Sequence, residues 1–499
     1  MKIVIIENPR PLTIEHYNDV ANAPLSASLN SGYALAVARR AGWDTAHLDF
    51  TAGNHDAAAV AATILAEAAD IVLFHWVYSW GHEEFVRTLL ELLRRDSNAS
   101  LGAFGLFPSL SSGRLLQFAP QLDFILAGEF EDTLSELLPL FGERHTVAVL
   151  PGVVLRGGMS VPRPLMADLS LLPIPDDVGA NCGYSSLNIA ASRGCYGECS
   201  FCFIHRYYGC SRRRVRDLAS LERELETRLS RRDIGSLYFI DPTFIGLGEG
   251  ERKRALEIGR MARRFGLPFG FETRVDGIDQ ELLAELAELG ATSVFLGIES
   301  GCDSVLQRIG KRISTEQIRR GVRAVRGSGI ELNLGFIMFE PDSTLAELEE
   351  NYTFLEELEL LDNHELTANL LYHNQIVLHG SAAWERFKNE GRLLLDERLP
   401  FEARYRFQDE RVGVVCAAMG RLTSGYFTGM DSIRQSRSAA AYDCDAKYHV
   451  DNFSGSAVND LLKDAFRALC RATHTLPQQQ VAGVEAEYVA HLHDTLALL

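Results

Sequence analysis

Short apolar runs alternate with longer amphipathic stretches along most of this chain, the pattern of strands and helices that succeed one another in α/β proteins. In the first stretch the runs Lys2–Ile6, Thr45–Phe50, Ile71–Tyr78, Leu101–Phe107 and Phe124–Ala127 read as strands. Between them, Ala27–Arg40, stopped by Gly42, and Glu83–Arg95 read as helices. Gly128-Glu-Phe-Glu-Asp-Thr-Leu opens another helix with acidic residues where its positive end favours them. Residues 1–150 are therefore expected to form an open parallel sheet of the Rossmann-like type. Residues 151–183 carry five prolines and Gly152, Gly157 and Gly158, which break regular elements and mark a linker. The alternation returns over 184–395 with strands at Leu187–Ala191, Ser236–Ile240, Phe269–Arg274, Ser293–Glu299 and Leu332–Met338, and a sixth within Leu366–Val377. The intervening helices include Gln280–Leu289 and Ser314–Gly327, and the count of six strands fits a partial (β/α)6 barrel. Residues 396–499 carry helical signals at Ser456–Cys470 and Gly483–Leu499 after an irregular stretch near Pro400–Phe407, and are expected to form a helical cap.

A chain of 499 residues is too long for one ordinary core, which agrees with this division. No apolar stretch approaches membrane-spanning length, and the N-terminus lacks the features of a signal peptide, so the expected location is cytoplasmic, without membrane attachment. The net charge of −18 disfavours a general affinity for nucleic acid or anionic lipid. One local exception is Arg212, Arg213, Arg214 and Arg216, readable either as a solvated helix start or as a dock for an acidic electron donor such as a flavodoxin. Nine cysteines, an odd number, argue for free thiols rather than a disulfide framework.

Three of those cysteines, Cys195, Cys199 and Cys202, stand at CxxxCxxC spacing in Ser192-Arg-Gly-Cys-Tyr-Gly-Glu-Cys-Ser-Phe-Cys-Phe203. A four-iron cubane needs four ligands, so three thiolates leave one iron open. The alternative is a zinc knuckle closed by His205 or Cys210; the strand before the loop and the strand and helix signals after it, in place of a second CxxC, favour the cluster. With aromatic Phe201 before the last cysteine, the motif resembles that of the radical S-adenosylmethionine (SAM) superfamily. That resemblance implies a 4Fe–4S cluster whose open iron is chelated by SAM, reductive cleavage of SAM to a 5'-deoxyadenosyl radical, and hydrogen abstraction from a substrate. In order and punctuation, residues 1–150 resemble the cobalamin-binding domain that precedes many such cores, and Pro173-Ile-Pro-Asp-Asp177 resembles the family's interdomain linker. Two departures count against cobalamin: no Asp-x-His-x-x-Gly follows the first strand, and Phe104-Gly-Leu-Phe-Pro108 places Leu106 where relatives have a second glycine. The expectation is a module that packs on the core without cobalamin, with a cobalamin-loaded form as the alternative.

Ligands of parallel α/β sheets sit at the carboxyl ends of the strands, where Asp241, Glu272, Arg274 and Glu299 fall. By resemblance, Glu299 would accept hydrogen bonds from the ribose of SAM, Gly297 would leave room for the nucleoside, and Asp241 would meet SAM's amino group. Arg274 would hold SAM's carboxylate, or else pair with Glu272, and Phe201 would flank the adenine. Candidate catalytic groups are His373, Glu272 and Tyr208, the last beside Tyr207 and His205; the alternative for the histidines and tyrosines is packing. Lys311 recurs in relatives but reads more simply as a surface lysine, and Cys302 as an apolar filler. The expected reaction is radical dehydration or deoxygenation of a small, polar, sugar-like substrate, as in the radical SAM diol dehydratase type of aminoglycoside biosynthesis. The expected reductant is a flavodoxin or a nicotinamide-dependent reductase. Two alternatives stay open: a cobalamin-dependent radical SAM methyltransferase, and an iron–sulfur electron-transfer or sensor protein.

Overall fold

The computed structural model describes residues 1–9, 28–51, 55–77, 83–142, 149–157, 160–178, 186–396, 399–437 and 455–497. Tyr78 and Tyr184, at the expected ends of a strand and of the second domain, lie outside them.

The first sheet is built from β1 (Lys2–Glu7), β2 (Asp44–Asp49), β3 (Ile71–His75), β4 (Ser100–Phe104), β5 (Phe124–Leu126) and β6 (Val153–Leu155), in the order 2-1-3-4-5-6. The first five strands are parallel and β6 is antiparallel to β5. Helices α1 (Leu29–Arg40), α2 (Ala57–Ala66), α3 (Glu83–Asp96), α4 (Leu106–Leu110), α5 (Ser112–Phe118) and α6 (Phe130–Leu137) accompany it. Alternation along the strands feeds two apolar layers. Val4, Ile6, Val72 and Phe74 pack with α2 and α3, while Ile3, Ile5, Ile71 and Leu73 pack with α1 and α6.

Two expectations are corrected here. The boundary at 150 falls short, because β6 extends the sheet into the expected linker. The fourth strand stops at Phe104 rather than Phe107: Gly105, at φ +112°, turns the chain, and α4 begins at Leu106, with Pro108 in its first turn, where a missing N–H costs little.

The second sheet holds β7 (Ser186–Ile189), β10 (Ser236–Phe239), β11 (Phe269–Arg274), β12 (Ala291–Glu299) and β13 (Glu331–Phe336), all parallel, in the order 13-12-11-10-7. Between β7 and β10 run the short strands β8 (Ser192–Arg193) and β9 (Arg214–Val215), helix α7 (Ile204–Tyr207) and helix α8 (Leu218–Leu229). The remaining helices of this domain are α9 (Glu249–Arg264), α10 (Gln280–Glu288), α11 (Asp303–Arg308), α12 (Thr315–Ser328), α13 (Leu345–Glu357) and α14 (His364–Tyr372). Leu187, Leu237, Phe271, Leu296 and Leu334 face these helices in one core. On the opposite face Asn188, Tyr238, Glu272, Phe295 and Asn333 are only half-buried although most lie mid-sheet, so that face lines an open lumen.

The expected sixth strand is not formed as a strand. Asn363 caps α14 by accepting from the N–H groups of Glu365 and Leu366, and helix occupies the segment up to Tyr372. What remains of a sixth strand is a single parallel bridge from Phe339 to Asn374.

After it come β14 (Val377–Leu378), α15 (Ala382–Asn389), β15 (Leu393–Asp396) and β16 (Leu399–Tyr405). They include a small antiparallel sheet where an irregular stretch was expected. Helices α16 (Glu410–Arg437), α17 (Ser456–Thr475) and α18 (Gln478–Ala497) then join the barrel's own apolar core over α13 and α14. Phe466 stacks on Tyr352 at 5.4 Å, and Asn459 Nδ2 donates to the Leu361 carbonyl at 2.8 Å. Among the described residues, no helix is long and apolar enough to cross a membrane.

Candidate active site

The cysteine loop is clamped at its base. β8 pairs antiparallel with β9, so residues 192–193 and 214–215 pinch the loop closed. Gly194 (φ +86°) lies so near the Arg212 carbonyl that a Cβ would come to 2.3 Å. Ser200 N–H donates to the Ile309 carbonyl at 2.8 Å and the Ser200 carbonyl accepts from Ala383 N–H at 2.9 Å, which fixes the loop between α11 and α15.

Cys195 Sγ lies 3.2 Å from Thr243 Oγ1 and accepts from Gly197 N–H at 3.3 Å. Burial pushes the Cys202 thiol up to about 12 and raises that of Cys199, against the pull of nearby Lys311 and Arg274. Thiols of this kind hold their protons until a metal displaces them. Among the described residues, no set of three or more Cys, His, Asp or Glu side chains converges as on a single ion. Three soft donors, with a cation beside Cys199, fit a cluster that carries negative charge.

Glu299 ends β12 in a left-handed conformation, φ +64°, rare for a residue with a side chain. The pairing of β12 with β13 slips between Gly297 and Glu299, and the slip turns the carboxylate back over the strand ends. A Cβ at Gly297 would lie 2.6 Å from Glu299 Oε1, and one at Gly335, its register partner, 3.6 Å from Oε2. The two glycines thus open a window in the sheet, and the carboxylate lies across it. Lys311 Nζ donates to Glu299 Oε1 at 2.8 Å and is 5 % exposed, so it is no surface lysine. The free carboxylate oxygen and the glycine window fit a ligand with hydroxyl donors and a flat face, as the ribose and base of SAM present.

The other residues expected at SAM are engaged by protein groups. The Arg274 fork is taken: Nε and Nη2 donate to Asp276 at 3.0 Å each, Nη2 also to the Lys311 carbonyl at 2.7 Å, and Nη1 points at Cys199 Sγ at 3.8 Å. Tyr196 completes this unit, stacked under the guanidinium and donating to Asp276 at 2.9 Å. Arg274 therefore buttresses the cysteine loop. Asp241 is a staple: its carboxylate accepts from Ala191 N–H at 2.9 Å and from the Ser192 hydroxyl, and burial pushes its pKa up to about 6. Phe201 packs on Cys302, Val305 and Ile309, which places it behind the loop.

Of the catalytic candidates, Glu272 faces the lumen, where desolvation pushes its carboxyl up to about 7; its contact is Tyr238 Oη at 3.4 Å, not Arg274. His373 follows α14, its Nδ1 3.3 Å from Asn369 Oδ1. Tyr208 meets Tyr207 edge to face and lies under Arg214 at the seam between the domains.

That seam also changes the meaning of the arginine run. Arg214 and Arg193 pair with Glu129, Arg193 with Glu131, Arg216 with Glu224, and Arg213 with Glu251. Arg212 alone of the four in the run is exposed, so the run is not an exposed docking patch. Tyr207 Oη donates to the Gly128 carbonyl at 2.7 Å, and α4 packs on α7. All these contacts from the first domain come from segments that follow β4 and β5. The carboxyl edges of the two sheets therefore meet around the cysteine loop.

At the first sheet's own carboxyl edge, where the strand order reverses between β1 and β3, lie Glu7, Asn8, His75 and Gly105. His75 Nδ1 bonds Glu7 at 2.8 Å, with Ser28 and Asn30 at 3.2 Å from the ring nitrogens. The Asn8 amide is 3 % exposed, and neither its nitrogen nor its oxygen has a partner among the described residues. A buried amide left unpaired costs about 1–3 kcal/mol, so this edge fits a polar ligand rich in amides, as cobalamin is. Leu106 is the half-buried first residue of α4, packed on the α2 and α3 side of the sheet.

Lys311, Asp276 and Tyr196 were not legible as site residues. Lys311 lies in a Gly-Lys-Arg turn that looks solvated, and the others acquire meaning only around Arg274.

The family model described as the Radical SAM superfamily matches residues 189–355. An uncharacterized methyltransferase of Pyrococcus horikoshii is 27 % identical over 254 residues, covering 48 % of this chain and 54 % of the relative. Hopanoid C-3 methylase of Methylococcus capsulatus is 29 % identical over 232 residues, with 44 % and 43 % covered. The chain thus spans about half the length of these curated relatives. Among solved structures, the cobalamin-dependent SAM radical enzyme OxsB, with aqua-cobalamin and SAM bound, superposes with a TM-score of 0.76 at 18 % identity, over 99 % of this chain and 79 % of that one. Residues 189–355 thus match the Radical SAM superfamily, and the two α/β domains share the fold of OxsB.

Proposed function

We propose that this protein is a cobalamin-dependent radical SAM methyltransferase acting on a small substrate held in the barrel lumen. The observation that carries the reading is the meeting of the two carboxyl edges around the cysteine loop, which would bring a methyl carrier and a radical source to one place. The relatives' names move the balance from the dehydration expected above to methyl transfer. When bound, the cluster with SAM supplies a hydrogen-abstracting radical and cobalamin supplies the methyl group.

The chain's own residues then have distinct tasks. Cys195, Cys199 and Cys202 hold the cluster, and Arg274, locked by Asp276, fixes their loop. Glu299 receives the ribose hydroxyls of SAM across the Gly297 and Gly335 window. Asn8 gains a partner in the cobalamin amides. Glu272, a carboxyl that is protonated or ionised with equal ease near neutral pH, can accept a proton from a substrate group in the lumen or donate one to it.

The test is anaerobic reconstitution of the full chain with iron, sulfide and hydroxocobalamin, followed by SAM and dithionite. Formation of both 5'-deoxyadenosine and S-adenosylhomocysteine, with stoichiometric corrin uptake, is expected. 5'-Deoxyadenosine alone, with no corrin retained in either the wild type or Leu106→Gly, would return the assignment to dehydration. Absence of both nucleosides would remove radical chemistry.

A further inference from the structure

Lys311 joins the nucleoside side of the site to the cluster side. Its ammonium is held by Glu299 at 2.8 Å, and its carbonyl accepts from Arg274, whose other arm points at Cys199. The preceding Gly310, at φ +70°, brings the backbone against the cysteine loop: a Cβ there would lie 3.4 Å from the Glu198 carbonyl and 4.0 Å from Cys199 Cα. A buried ammonium is costly unless paired, and here the lysine sits in a turn packed against the loop that carries the sulfurs. Neither a surface lysine nor a simple brace for Glu299 would need that placement.

We infer that Lys311 is a positioning residue with two effects: it holds Glu299 across the glycine window for the ribose hydroxyls, and its charge, balanced by Glu299, sets the reduction potential of the cluster. The inference rests on the cluster assignment above. Reduction adds negative charge to the cluster, so a nearby cation favours it and a nearby anion opposes it. The two members of the pair should then act in opposite directions on the potential, although both serve SAM binding.

The test compares wild type, Lys311→Met, Lys311→Arg and Glu299→Gln as reconstituted full-length proteins. The midpoint is read by EPR-monitored dithionite titration without SAM, and SAM binding by equilibrium dialysis. Lys311→Met should lower the midpoint and Glu299→Gln raise it, each by about tenfold in the reduction equilibrium, which is about 59 mV for one electron. Lys311→Arg should restore the wild-type midpoint, and SAM affinity should fall by about tenfold in the Met and Gln variants. Shifts of the same sign in Lys311→Met and Glu299→Gln, or no shift in either, would overturn the inference while leaving the cluster assignment intact. If Lys311→Met fails to load iron, the sign of the Glu299→Gln shift and the Lys311→Arg midpoint decide. A wild type that assembles no cluster would instead sink the functional reading.

Discussion

The carboxyl edges of the two sheets solve opposite problems. In the barrel, the buried charges are committed to one another before any ligand arrives: Arg274 to Asp276, Lys311 to Glu299, and Asp241 to the end of β7. In the first domain the edge also pairs Glu7 with His75, but beside that pair it buries an amide, that of Asn8, with no partner among the described residues. The first arrangement suits a site whose geometry must be held ready for chemistry. The second suits a site whose polar groups are completed by what it binds. Preorganised charge and deferred hydrogen bonding thus sit on either side of one cysteine loop.

The comparison breaks most severely if the barrel edge does not need its metal. Cys199→Ala should abolish 5'-deoxyadenosine formation and the iron–sulfur absorbance, with far-UV circular dichroism unchanged; retained iron would show that the loop is not the ligand set. Next in size, Glu299→Ala leaves the Lys311 ammonium buried and unpaired. It should cost about 3–5 kcal/mol in denaturant unfolding, and a loss near zero would mean that the pair is not committed. The first domain should respond with the opposite sign. Asn8→Leu removes an unpaired amide and should stabilise the cobalamin-free protein by about 1–3 kcal/mol while weakening corrin uptake, measured by thermal unfolding and by dialysis.

The smallest effect concerns Glu272. Its carboxyl is raised from 4.5 to about 7 in the folded chain, so the folded state keeps a proton that the unfolded state gives up. Stability should therefore fall as pH rises from about 4.5 to about 7 and level off above. Glu272→Gln should flatten that slope and gain most above pH 7, as read from denaturant midpoints across the range.

How far the sequence carried differs between the same two regions. Most strands of both sheets were legible because buried parallel strands are nearly continuous apolar runs, as in Ile71-Val-Leu-Phe74. The cysteine loop was legible because its spacing is local. Within Leu366–Val377 the helix α14 was missed and only the bridge at Asn374 is strand-like, because Asn363 is a cap only if the chain turns there, and one asparagine before an apolar segment does not announce that. Helix α4 was hidden in an apolar run that Gly105 divides. At the site, Glu299 and Gly297 could be found because they follow an apolar strand within one segment. Arg274 and Asp241 were found, but the protein groups that engage them were not. Their partners, Asp276 and Ser192, are ordinary polar residues close by in space, and polarity alone does not say which groups bond to each other rather than to a ligand.

The clamp formed by β8 and β9 has one more implication. The arginines that hold the first domain, Arg193 and Arg214, belong to the two strands that pinch the cysteine loop shut. The loop and the seam thus share one pair of strands, so a substitution that breaks the β8–β9 pairing should disturb the cysteines and the contacts to the first domain together.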